Sequence, residues 1–285
     1  MDSEVFIKGI ITSNKKRLFI TYLLFSVEMV SALVKPYFLG EAVNDLLNGG
    51  YKQLAIFLCV HVGWLFVSML RMRYDTRTYS KIYKDIIIHF LVKTKEKKNV
   101  SKLSALSTLS REYTDFLEFD LIFILESLYN IVGSLIIIFF YDKTVILICL
   151  TTLIPILILS KYYGRKMGNL TKQKNDELEK QVDTIATYNE EKINIHYSYL
   201  QKWQIKISDQ QALNFGIMEL LVMLLLGGSL ILSTHFNINK LNAGQIISFY
   251  FYLLKFTSGL DTIPYITEKY AAIKDITKRM HDYLQ

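Results

Sequence analysis

The side chains with the greatest capacity for chemistry in this 285-residue sequence are polar and ionisable residues set inside long apolar runs. They are Glu28 and Lys35 in the first run, Glu126 and Asn130 in the third, Glu219 in the fifth and Lys255 in the sixth. Hydrocarbon excludes charge, so each of them needs a partner or a water-filled path, and intramembrane ionisable residues commonly mark substrate or ion pathways. Glu28 and Lys255 sit at similar depth on runs of opposite direction, which makes them candidates for an ion pair. That pair reads equally well as a lock between helices or as a point on a pathway. Glu126 and Glu219 lie one to two turns from the end of their runs, within reach of interfacial water.

Other chemistry is poorly supported. His61, His89, His196, His235 and His281 are scattered, with no His-Glu-x-x-His spacing and no Cys/His cluster, so no metal site and no hydrolase is expected. Cys59 and Cys149 both lie in apolar runs and read as packing residues. There is no Gly-x-x-x-x-Gly-Lys-Ser/Thr loop to cradle nucleotide phosphates, so the chain is not expected to hydrolyse ATP or to bind a cofactor. The Leu226-Gly227-Gly228-Ser229 tract sits in the fifth apolar run, where small residues allow close helix packing. Gly164 and Gly168 form a weak dimerisation signal of the same kind. The glycosylation-type triplets at Asn99 and Asn169 are read as chance matches.

Six apolar segments position these residues: Leu18 to Gly40, Leu54 to Leu70, Leu121 to Tyr141, Thr144 to Ser160, Leu213 to Phe236 and Ala243 to Ile263. Each approaches the roughly 20 residues needed to cross the bilayer. With 51% hydrophobic residues and only 3 prolines, the chain reads as an all-α integral membrane protein with six transmembrane helices, in a single domain over 1–285. An interfacial helix is expected at 1–17 and a basic helix at 264–285. Of 33 Lys and Arg, Lys52, Lys143 and Lys240 fall in short connections and Lys35 and Lys255 in spans, leaving 28 on the other side. The positive-inside rule makes that side cytoplasmic, with both termini there, in a plasma (inner) membrane. The net charge of +7 is thereby assigned to the membrane and not to nucleic acid.

The long connections at 71–118 and 161–212 contain little glycine and no proline, and both carry helical apolar spacing: Tyr79, Ile82, Ile86 and Phe90 going out, Leu109, Tyr113 and Phe116 returning; then Leu178, Val182 and Ile185 going out, Ile193, Tyr197, Leu200 and Ile207 returning. Each is predicted to be a cytoplasmic helical hairpin reaching roughly 35 Å beyond the membrane. Leu103, Leu106 and Ile193 near the tips, ringed by Lys102, Glu191 and Lys192, are candidate contacts with a cytoplasmic partner.

Six spans, short outer turns and two long hairpins resemble the transmembrane domain of ATP-binding-cassette exporters. Three local stretches agree: Pro36 to Gly40 with Asp45 and Gly49, Leu128 to Lys143, and Leu225 to Tyr250. The resemblance is closest to the stand-alone six-helix subfamily without a fused ATPase domain. It implies a homodimer with spans four and five exchanged, and hairpin tips resting on separate ATP-binding subunits. The function so implied is a permease subunit, exporter-like, energised by another chain. A non-transporting membrane scaffold or regulator of the same fold is the alternative.

Overall fold

The computed structural model describes residues 9, 12–93, 100–141, 143–236 and 241–284, and among these every regular element is a helix. In chain order they are α1 (Lys15–Leu47), α2 (Lys52–Lys93), α3 (Val100–Asp115), a π-helical turn (Phe116–Asp120), α4 (Leu121–Tyr141), α5 (Lys143–Leu178), the short α6 (Gln181–Ile185), α7 (Glu190–Phe236) and α8 (Ala243–Leu284). Five helical stretches among the described residues are long and apolar enough to cross a membrane: Lys15–Leu47, Lys52–His89, Ser107–Tyr141, Val145–Ile185 and Glu190–Ser229. At 33 to 41 residues each, they measure about 50 to 60 Å, well beyond the roughly 30 Å of a hydrocarbon core.

The remaining long helix, α8, has the length but is too polar to qualify. Its position explains the difference. Phe249, Tyr252, Leu253, Phe256, Leu260 and Ile263 recur at helical spacing and are all buried, against Ile138 of α4, Val145, Cys149 and Ile156 of α5, and Met218 and Leu225 of α7. A helix with much of its surface packed on protein has less need of an apolar outer face: Ser248 and Thr257 are buried and Lys255 half-buried, while Asp261 is exposed.

Antiparallel α1 and α8 meet along a seam that needs glycine. A Cβ on Gly244 would collide with the Gly40 carbonyl oxygen, and one on Gly40 with the Gly244 carbonyl. The close approach lets Ser248 Oγ donate to the Pro36 carbonyl (2.8 Å) and Tyr252 Oη donate to the Leu33 carbonyl (2.9 Å). Neighbouring side chains thus serve carbonyls beside the in-helix proline. At the Gly49 end of the seam Asn44 Nδ2 donates to Asn242 Oδ1 (2.9 Å), and Asn44 Oδ1 accepts from the Gly244 amide (2.8 Å). Gly49, at φ +80, turns the chain from α1 to α2, and Asp45 Oδ2 accepts the Gln53 amide at the start of α2 (2.8 Å).

Tyr79, Ile82 and Ile86 of α2, Tyr113 of α3 and Ile276 of α8 form a second buried cluster, with Leu109, Leu117 and Ile273 against it. The final turns of α8 are therefore part of the packed body. Arg279 binds Asp275 (2.7 Å), Asp176 (2.8 Å) and Glu179, which joins α8 to the end of α5. Burial opposes the Arg279 charge, but the hydrogen bonds it donates to Asp176, Asp275 and Glu179 outweigh it and raise its pKa. Along α5 and α7, Tyr163, Met167 and Ile207 form a smaller core. Farther out Lys174 Nζ donates to Gln204 (2.7 Å), and Glu177 pairs with His196 Nδ1 (2.8 Å).

The expected apolar stripe of Leu178, Val182 and Ile185 is not buried; all three side chains are exposed. The chain breaks into turns on both sides of α6, so helical spacing no longer gathers those residues on one face. Cys149 is fully buried in the main core, whereas Cys59 is exposed on α2. Gly164 packs on Thr267 of α8, which accounts for its small size within the chain. Around Gly227 and Gly228 no atom lies within 4 Å of a built Cβ, so the packing expected there is not made among the described residues.

Candidate functional site

The two helices that follow one another across the Gly49 turn run antiparallel in close contact, and they bring Glu28 of α1 against Arg71 of α2. Arg71 Nε donates to Glu28 Oε2, and Arg71 Nη1 donates to Asp75 Oδ2 at 2.9 Å. The side chains of Arg71, Glu28 and Asp75 are only 17%, 5% and 9% exposed, so this is a largely desolvated triad. The guanidinium carbon also lies 5.7 Å from the centre of the Phe25 ring.

This corrects the expected Glu28–Lys255 pair. Arg71, the first residue past the second apolar run, reaches Glu28 instead. The turn gives the missing signal: Glu28 lies 21 residues before Gly49 and Arg71 lies 21 after Gly50, so the two are level on antiparallel neighbours. Lys255 makes no ion pair among the described residues, and the acid whose charge it feels is Glu126. Lys35 sets its ammonium over the Trp64 ring, 2.9 Å from the centroid. Asn130 is half-buried, and Glu219 is exposed on α7, where it acts electrostatically on Asp261 of α8.

Beside the triad a cavity of about 520 Å³ opens between α2, the π turn, α4 and α8. Arg71 and Asp75 form one wall, and Glu118, Phe119, Phe123 and Glu126 the opposite one, with Tyr265 of α8 at the side. The π turn matters here, because an extra residue in one turn shifts the facing of the side chains it carries, and such turns recur at functional sites. Asp120, which closes the turn, is held by Lys269 Nζ (3.0 Å) and by a hydrogen bond from the Tyr265 hydroxyl. Sequence reasoning missed Arg71, Asp75, Glu118 and Tyr265 because they lie past the ends of the apolar runs.

A second cavity, of about 500 Å³, lies where α5, α6 and α7 converge, and is lined by Glu177, Lys180, Thr184, Lys192 and His196 among others. Burial raises the Glu177 pKa, but hydrogen bonds from Lys180 and His196 outweigh it and leave the carboxyl below its usual range. Of the expected tip contacts, Glu191 and Lys192 are exposed and Ile193 is half-buried. The side chains of Lys102, Leu103 and Leu106 lie outside the described residues, although α3 includes their backbone. Among the described residues no group of three or more His, Cys, Asp or Glu is arranged to hold a metal.

The family model of the ABC transporter transmembrane region matches residues 7–243. The chain belongs to this family. No curated protein matches it. Within this ABC transmembrane chain the match takes in Glu28, Arg71, Asp75, Glu118 and Glu126, and so most of the cavity wall. Tyr265, Lys269 and the Arg279 contacts lie past its end, on α8.

Proposed function

We propose that this chain is the permease subunit of an ABC-type transporter, exporter-like, which works as a homodimer and is energised by an ATPase on a separate polypeptide. The observation that carries the reading is the desolvated Glu28–Arg71–Asp75 triad beside a charged cavity, within a helical bundle of this family. Replacing a buried ion pair with apolar side chains is often neutral or stabilising, so a purely structural bundle gains little from keeping one. A transporter gains a polar surface along a pathway.

In this reading α8 is the sixth span, and the outer parts of α2 with α3 and of α5 with α7 are cytoplasmic hairpins. The 28 Lys and Arg outside the spans and short connections face the cytoplasm with both termini. The exposed apolar side chains of α7, among them Leu220, Met223 and Leu224, are met by lipid and by a second copy. Spans four and five, on α5 and α7, cross to that copy. In this reading ATP is bound by the companion subunit.

Purification from native membranes in a mild detergent, with native mass measurement and identification of what accompanies the chain, tests this. A dimer carrying a nucleotide-binding protein is expected. A monomer, or a dimer without any nucleotide-binding companion, favours the scaffold reading.

A further inference from the structure

We propose that the cavity between α2, the π turn and α4 binds a lipophilic organic cation, held between carboxylates and aromatic rings. The inference rests on the pathway reading above and names the class of molecule that the site selects. Its volume of about 520 Å³ falls inside the roughly 300–1,000 Å³ typical of small-molecule sites.

The charge of the lining is unbalanced. Among the described residues of the wall Arg71 is the only basic one, and both Glu28 and Asp75 engage it. Glu118 and Glu126 have no ion-pair or hydrogen-bond partner among the described residues, although Glu118 feels Arg111 and Glu126 feels Lys255. Asp75 adds an independent sign of a missing partner. It lines the cavity and is 6% exposed, yet its Oδ1 is buried with no hydrogen-bond partner. The Thr21 hydroxyl of α1, outside strict hydrogen-bond geometry, lies close enough to act on Asp75 as a donor. That oxygen is closed to solvent, so a cation in the cavity would not bond to it directly but would offset the Asp75 charge through space.

Aromatic rings supply the second half of the recognition. Phe123 and Tyr265 meet edge to face with centroids 5.3 Å apart, and the Tyr265 ring already takes the Lys269 ammonium at 5.1 Å. Phe119, 59% exposed, and Met72, 63% exposed, form an apolar rim. Carboxylates behind an aromatic and thioether rim suit a cation whose charge is spread under hydrophobic groups, because ring faces attract such ions and the rim takes up their apolar surface. A small hydrated metal ion has no use for that rim, and an organic anion meets Glu118 and Glu126.

Equilibrium binding of tetraphenylphosphonium to the purified full chain in lipid nanodiscs tests the proposal, with tetraphenylborate as the probe of matching shape and opposite charge and empty nanodiscs as the blank. Phosphonium is expected to bind above the blank and borate not. Glu118→Gln with Glu126→Gln should weaken phosphonium binding about tenfold or more. Phe119→Ala, at an exposed position that does not threaten the fold, should weaken it about threefold, in keeping with roughly 0.5–1 kcal/mol for an exposed ring–cation contact. Phosphonium at the blank level, equal binding of both ions, or full affinity in both variants would overturn the proposal. Binding needs no ATPase and no turnover, so a chain that binds phosphonium but purifies alone refutes the permease reading and leaves the site standing.

Discussion

Replacing Arg71 with methionine should destabilise the protein by roughly 3–5 kcal/mol, the usual effect of removing one partner from a buried pair and leaving the other charge uncompensated. Arg71 stands between two carboxylates whose side chains are 5% and 9% exposed, and no other cation among the described residues is within ion-pair distance of either. At roughly 2 °C per kcal/mol for a chain of this size, the melting temperature should fall by about 6–10 °C. Fluorescence-detected thermal melting of the detergent-solubilised protein reads it. Neutralising the carboxylates as well, with Glu28→Gln and Asp75→Asn added to Arg71→Met, should recover most of the loss, because the penalty belongs to the stranded charges and not to the absent guanidinium. A single variant within about 1 °C of the parent, or a triple variant no more stable than the single, would refute the argument that the triad is desolvated and coupled.

Three further outcomes follow from the geometry. Gly244→Ala places a Cβ against the Gly40 backbone carbonyl, which cannot yield as a flexible side chain does, and should cost about 1–3 kcal/mol in the same melt; Gly227→Ala, with open space around it, should leave the melt unchanged or raised. Arg279→Gln removes three carboxylate contacts and should speed hydrogen exchange in residues 273–279; since Asp176 and Glu179 are 50% and 43% exposed, about 1 M salt should do part of the same to the parent protein by screening, and exchange unmoved by either change would dismiss the link between α8 and α5. Single cysteines at Asn48 and Asn189 should react with an impermeant maleimide from opposite sides of the membrane, Asn48 from outside, and the reverse pattern would invert the topology.

The helical class, the apolar runs and the packed stripe of Tyr79, Ile82 and Ile86 were legible because apolar spacing is a property of the sequence itself, and the partners of that stripe share one face. The stripe expected at Leu178, Val182 and Ile185 failed where helical spacing was extended through a break in the helix. The site was legible by halves. Charge inside an apolar run is conspicuous, so Glu28 and Glu126 stood out; charge just past its end looks like any interfacial residue, so Arg71 and Asp75 did not. What distinguishes them is the neighbour that a short turn folds against them, and equal distance from the Gly49 turn was enough to name Glu28 for Arg71. The same blindness runs the other way at α8. A window average asks how apolar a segment is, not which medium it faces, and a helix surrounded by other helices can replace apolar surface with Ser248 and Tyr252 once the carbonyls of Pro36 and Leu33 accept their protons. The polarity of α8 therefore follows the partner of each side chain: Ser248 and Tyr252 are buried against α1, Lys255 is half-buried, and Asp261, which is exposed, calls for a polar partner or water beside it.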